Sequence, residues 1–150
     1  MLVSTRGRYA TRMLLDIAMH QERDGYVSMK EVAERQQISK KYMETFTAQL
    51  AAAGILSIRR GKTGGYRLLR DPAEITLLDI LRLTEGSLHA VSCLECEPNQ
   101  CPRAAFCPTL PAWAGLEKAV NDYLSSVTLR SLMDHAAPQP EEVTDSACGE

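Results

Sequence analysis

The sequence predicts a mainly α-helical fold with one small β-hairpin and a long helix late in the chain. Two observations carry this. Apolar residues recur at helical spacing through most of residues 5–84 and again after Pro111, and the period changes only around a Gly-rich stretch, in Ile55–Arg60 and Tyr66–Leu68. A chain of 150 residues, 45% hydrophobic and 24% charged, has the balance of one ordinary globular core.

The elements follow in order. From Thr5 to His20, the residues Tyr9, Met13, Leu14, Ile17 and Ala18 share one helical face, with Arg6, Arg8 and Arg12 off it. Asp24-Gly25 marks a turn. Ser28 and Glu31 fit a capping box that opens a short helix over about 29–36, with Val32 and Ala33 on its buried face. Gln37-Ile38 breaks that helix. Ser39 caps the next one, which runs through Tyr42, Met43, Phe46 and Leu50 to a stop at Gly54. Two short helices around so tight a turn make a helix-turn-helix. The strands Ile55–Arg60 and Tyr66–Leu68 are joined by Gly61-Lys62-Thr63-Gly64-Gly65, whose glycines permit a tight hairpin, so a wing follows the helices.

Beyond Asp71-Pro72, the run Ile75–Thr84 is dense enough in apolar residues for a largely buried helix, ended by Glu85-Gly86. The long helix after Pro111 carries Trp113, Leu116, Val120, Tyr123, Leu124 and Val127. That is more apolar surface than the preceding domain can cover, so these six residues are expected to pack on a second subunit in a homodimer. Thr128 caps a last short helix through Met133. The chain thus divides into a winged helix-turn-helix region (1–70), a cysteine loop with dimerisation helices (71–133) and an acidic tail (134–150). The tail is expected to be disordered, with Cys148 in it an incidental thiol.

The net charge of -2 hides an asymmetry: residues 1–70 hold 13 Lys and Arg against 6 Asp and Glu, while residues 71–150 hold 4 against 13. The basic half suits an anionic partner. A helix-turn-helix with a basic wing fits double-stranded DNA, one helix entering the major groove while the hairpin lies on backbone and minor groove. The candidate contacts on the second helix are Ser39, Lys40, Lys41, Tyr42, Glu44 and Thr45, and on the wing Arg59, Arg60, Lys62 and Thr63. Lys40 and Lys41 can meet phosphate or guanine, and Glu44 can accept from a cytosine amino group. Against this, Glu44 reads equally well as a solvated helix carboxylate, and an aromatic at the position of Tyr42 is more often core. The wing glycines lack the Lys-Ser/Thr ending of a nucleotide-binding loop.

Four of the five cysteines, Cys93, Cys96, Cys101 and Cys107, lie within fifteen residues of Pro-rich polar sequence. Such density suits soft metals or iron-sulfur clusters better than a core. Zinc is a competing reading, although zinc ribbons present two close Cys pairs and only Cys93-x-x-Cys96 is close here. A thiol-disulfide switch would need only two of the four, and incidental thiols are the remaining reading. A CxxC oxidoreductase is the other class, yet that motif normally opens a helix after a strand and Pro98 follows too soon. No Ser/His/Asp or HExxH arrangement is present, so no catalytic residues are expected. The N-terminus shows no long apolar stretch and nothing else approaches a membrane span, so a cytoplasmic protein is expected.

Three strings in the chain resemble the Rrf2 family of winged-helix bacterial transcription regulators. They are Ser4-Thr-Arg-Gly-Arg-Tyr9, Ile38-Ser-Lys-Lys-Tyr-Met-Glu44 and, most specific, Gly61-Lys-Thr-Gly-Gly-Tyr-Arg-Leu68; the similarity covers about residues 1–133. The resemblance implies a homodimer with crossed C-terminal helices reading a pseudo-palindromic operator. It also implies an iron-sulfur cluster (2Fe-2S or 4Fe-4S) on three cysteines of this loop, commonly with five residues between successive ligands. Cys101 and Cys107 keep that spacing. Seven residues separate Cys93 from Cys101, like the iron-responsive branch, whereas only four separate Cys96. The resemblance therefore favours Cys93, Cys101 and Cys107, with Cys96, Glu95 and His89 as candidates for a fourth ligand. Two family features are absent: Leu110 stands where one branch has a His, and Arg8 where some relatives have an acidic residue. Some members carry no functional cluster.

Overall fold

Helix α1 (Thr5–His20) is the element on which the others are assembled. In this computed structural model, which describes residues 3–23 and 25–136, α1 packs against α2 (Met29–Gln36), α3 (Lys40–Ala52), β2 (Gly65–Leu68), α4 (Leu77–Glu85) and α6 (Leu129–Asp134). Its apolar face, with Ala10, Met13, Leu14 and Ile17 fully buried, explains why. Burying one such side chain stabilises the fold by about 1.5–3 kcal/mol.

The helix-turn-helix forms as the caps predict. The Ser39 hydroxyl accepts from the Tyr42 N–H at 3.2 Å, and Gln37 takes a left-handed conformation (φ 54°) that reverses the chain between α2 and α3. One detail differs. The Ser28 hydroxyl accepts from the Lys30 N–H at 3.2 Å, and the exposed Glu31 does not close the expected capping box. Closed boxes occur instead at Thr76/Asp79 and Thr128/Ser131, opening α4 and α6.

The wing is a two-stranded antiparallel hairpin, β1 (Leu56–Arg59) against β2, with Ile58 opposite Tyr66 and Arg59 opposite Gly65. Gly61 has φ 106°, a value that favours glycine. Helix α5 (Leu110–Ser126) leaves the domain and packs against α4. The chain then returns: the Leu77 N–H donates to the Val127 carbonyl and the Leu129 N–H to the Ile75 carbonyl, both at 2.9 Å, which seats Leu129 in the core. Because α6 extends to Asp134, the expected tail boundary lies inside a helix. The rest of the tail, including Cys148, and the expected Asp24 turn residue lie outside the described residues.

Candidate functional site

The second helix of the helix-turn-helix shows two faces. Met43, Phe46, Thr47 and Leu50 are buried, whereas Lys40, Lys41, Glu44 and Thr45 are exposed. Tyr42 is half-buried and meets Tyr9 and Phe46 edge to face, with ring centroids 5.5 and 6.2 Å apart. It is therefore a packing residue, as its spacing also allowed. The Ser39 hydroxyl is engaged in capping, and the Thr45 hydroxyl donates to the Tyr42 carbonyl at 2.7 Å. Lys40, Lys41 and Glu44 are left as the side chains best placed to reach outward.

Between α3 and the wing runs a groove of about 710 Å³, lined among others by Lys30, Lys40, Glu44, Arg59, Arg60 and Lys62. Tyr66 lies at its base, fully buried. Burial, with the Glu44 carboxylate adding to it, pushes the Tyr66 phenol up to about 12, so the hydroxyl keeps its proton. Thr47 is its neighbour, yet the hydroxyl has no well-aligned hydrogen-bond partner among the described residues. At the wing, Arg60, Lys62 and Thr63 are exposed, while the Arg59 Nη2 donates to the Thr63 carbonyl at 3.0 Å.

Long-range polar contacts brace this surface from α1. The Arg6 Nη2 donates to the Thr45 carbonyl at 2.6 Å and to Gln49, and Arg12 donates to Gln36. Asp16, with 1% of its side chain exposed, accepts from Arg35 Nε at 3.0 Å and Nη2 at 2.8 Å, and from Gln36 Nε2 at 2.9 Å. The hydrogen bonds that Arg35 donates to Asp16 raise its guanidinium above the ordinary value, so the charge is secure. Sequence reasoning did not find this network. Its one signal was a carboxylate set within the apolar run Met13–Ala18.

The cysteine loop, residues 87–109, holds only two short 3-10 turns, Ser92–Leu94 and Ala104–Phe106. Cys93, Cys101 and Cys107 are half-buried and Cys96 is exposed; all four are free thiols. Their donor chemistry suits a soft metal centre. Their geometry does not assemble one, since among the described residues no three His, Cys, Asp or Glu side chains converge as metal ligands. Cys107 Sγ lies 3.4 Å from Thr109 Oγ1. The Thr109 hydroxyl is the main cause that lowers this thiol below its ordinary pKa, helped by the Thr109 and Leu110 backbone N–H groups at the start of α5. Of the other candidates, Glu95 is exposed and His89 Nδ1 lies 3.1 Å from Glu117 Oε1 on α5, whose other oxygen accepts from the Ala90 N–H at 3.1 Å.

On α5, Trp113, Leu116 and Tyr123 are exposed, Tyr123 at 66%. Leu124 is buried against Leu78 and Leu81 of the same chain, Val120 packs partly on that cluster, and Val127 is half-buried. Phe106, 72% exposed beside Cys107, is a further apolar surface residue that the periodicity did not mark.

A helix-turn-helix braced from behind, with a basic groove between its second helix and a wing, defines a winged-helix regulator. The comparisons agree. The Rrf2 family, described as an iron-dependent transcriptional regulator, matches residues 3–135. The protein rrf2 of Nitratidesulfovibrio vulgaris is 40% identical over 141 residues, covering 94% of this chain and 93% of that protein. The HTH-type transcriptional regulator IscR of Photorhabdus laumondii is 33% identical over 147 residues, 98% of this chain and 85% of that one. Among solved structures, CymR, the global cysteine regulator of B. subtilis, superposes with a TM-score of 0.74 at 31% identity, covering 91% of this chain and 99% of CymR. IscR of T. potens does so at 0.71 and 35%, covering 91% and 89%. The chain belongs to the Rrf2 family. It is a transcriptional regulator of the winged-helix class and not an enzyme, and no helix among its described residues is long and apolar enough to cross a membrane.

Proposed function

We propose that this chain is a homodimeric, cytoplasmic repressor that reads a pseudo-palindromic DNA operator and whose grip on it is set by the cysteine loop. The observation that carries the first part is the groove between α3 and the wing. Lys40 and Glu44 stand on one wall and Arg59, Arg60 and Lys62 on the other, with Lys41 exposed next to Lys40, on a surface fixed from behind by Arg6 and the Asp16 network. Lys40 and Lys41 contact phosphate or guanine, Glu44 reads a cytosine amino group, and the wing takes backbone phosphates. Selecting binding sites from a random duplex pool tests this: an inverted repeat should be enriched. Arg60→Ala and Lys62→Ala should each flatten the log-log salt dependence of its affinity by about one. A salt-independent complex overturns the reading.

The homodimer is supported by spacing. Trp113, Leu116, Val120 and Tyr123 follow an alternating three- and four-residue step along α5, Val127 lies just past its end, and three of the five are exposed.

The loop reading rests on its four free thiols and on relatives named IscR and iron-dependent. Cys93, Cys101 and Cys107, with Cys96 as a fourth, would hold an iron-sulfur cluster, which would supply a redox- or iron-responsive centre; zinc or a thiol pair is the alternative occupant. Anaerobic reconstitution of wild type and single Cys→Ala variants, followed by visible absorption with iron and sulfide counts, decides between them. Loss of a brown chromophore from the Cys93, Cys101 and Cys107 variants and its retention in Cys96→Ala supports the three-cysteine set. A colourless wild type with one zinc per chain overturns the cluster.

A further inference from the structure

The wing has an outer face that, among Tyr26, Ser57, Arg59 and Arg67, shares only Arg59 with the groove. Val27 pairs with Tyr66 through two backbone hydrogen bonds of 2.8 Å, so the segment before α2 lies along β2 as a short third edge. Gly65 makes this approach possible, because a Cβ there would run into the Val27 carbonyl. Strand alternation then sorts the side chains. Val27, Tyr66 and Ile58 share the inner side, while Tyr26, Arg67, Ser57 and Arg59 share the outer one.

On that outer side, the Arg59 guanidinium carbon lies 4.2 Å from the centre of the Tyr26 ring, and that of Arg67 lies 5.3 Å away. The Tyr26 hydroxyl is 2.9 Å from Ser57 Oγ, which anchors the far end of the ring to β1. Thr63 holds one edge of the Arg59 guanidinium by its carbonyl. An arginine stacked flat on an aromatic keeps its in-plane N–H groups available for bidentate phosphate recognition.

We propose that Tyr26 is a positioning residue that, from the outer face of the wing, holds Arg59 at the rim of the groove ready for a DNA backbone phosphate. This rests on the DNA-binding reading above. A pre-ordered guanidinium loses less freedom on binding than a loose surface arginine.

The test is fluorescence anisotropy of a labelled duplex of mixed sequence, titrated over a range of salt with the full-length protein. Tyr26→Leu, which keeps apolar bulk but removes the ring, should weaken binding about two- to fivefold at low salt. Tyr26→Phe, which retains the ring, should bind like wild type. Arg59→Ala should flatten the salt slope by about one, and adding Tyr26→Leu to it should change affinity less than twofold. Arg59→Lys keeps the charge on an exposed position and loses the planar stack, so its loss should match that of Tyr26→Leu, which secures the test should the Tyr26 variant fold poorly. Full affinity in Arg59→Lys, or the same loss from Tyr26→Leu with and without Arg59, overturns the positioning role alone. A wild type that binds no duplex overturns the DNA-binding reading with it.

Discussion

Between Thr5 and Leu68 several polar side chains are tied to partners far along the chain. Asp16 has Arg35 and Gln36, Arg6 has Thr45 and Gln49, and the side-chain Oε1 of Gln21 accepts from the Leu68 N–H at 2.7 Å. Between Ser87 and Thr109 the pattern is different. Hydrogen bonds there are short-range, such as the Cys101 N–H to Asn99 Oδ1 and the contact between Cys107 Sγ and Thr109 Oγ1, and apart from Glu117 little reaches in from outside. A segment with few buried apolar contacts reorganises at low cost, whereas the helix-turn-helix cannot shift without breaking buried pairs. The helix-turn-helix half is held rigidly and the loop is held loosely. They join at Glu85, which accepts from the Ser4 N–H at 3.1 Å and the Ser4 hydroxyl at 2.8 Å, one residue before Gly86 opens the loop.

Six substitutions break or sharpen that contrast. Asp16→Ala should have the largest effect, because it strands the Arg35 charge: a loss of about 3 kcal/mol in urea unfolding, with native-state alkylation of the loop thiols unchanged. A loss below about 1 kcal/mol would mean that the network does not hold α1 to α2. Leu124→Asp should destabilise the chain itself by roughly 3 kcal/mol, since Leu124 is buried on Leu78 and Leu81. Trp113→Glu and Leu116→Glu should instead leave the thermal midpoint of a dilute sample nearly unchanged while sedimentation reports monomers; dimeric variants would move the interface elsewhere.

Glu85→Ala removes the acceptor shared by the Ser4 amide and hydroxyl and should cost about 1 kcal/mol. It should also weaken whatever effect thiol modification has on DNA binding, and unchanged coupling would show that the loop signals by another route. The smallest change is chemical. Because the Thr109 hydroxyl lowers the Cys107 thiol, thiolate forms at lower pH than for an ordinary cysteine. Thr109→Val should therefore move the pH midpoint of Cys107 alkylation upward, and a midpoint that stays or falls would discount the hydroxyl.

The local elements were legible because their signals are local. Ser39 and Gly54 bracket the second helix, the glycines of the wing mark its turn, and the heavy apolar load of residues 113–127 marks a helix with a face left over. The candidate DNA surface was legible for the same reason, since exposure of Lys40, Lys41 and Glu44 follows from the helical period. Ser28 was misread because a serine hydroxyl can satisfy either the second or the third N–H of a helix, and local sequence does not choose between them.

The sequence by itself determined the secondary structure, the charged surface and the family, all of which depend on residue type and spacing along the chain. Only the tertiary structure decided partners far apart in sequence. It paired Asp16 with Arg35, laid Tyr26 against Arg59, turned Leu124 inward and Tyr123 outward, and set Glu85 on Ser4. The cysteines mark the boundary between the two. Four thiols in fifteen residues state ligand density, but whether their sulfurs meet is a matter of loop conformation, which few long-range contacts constrain.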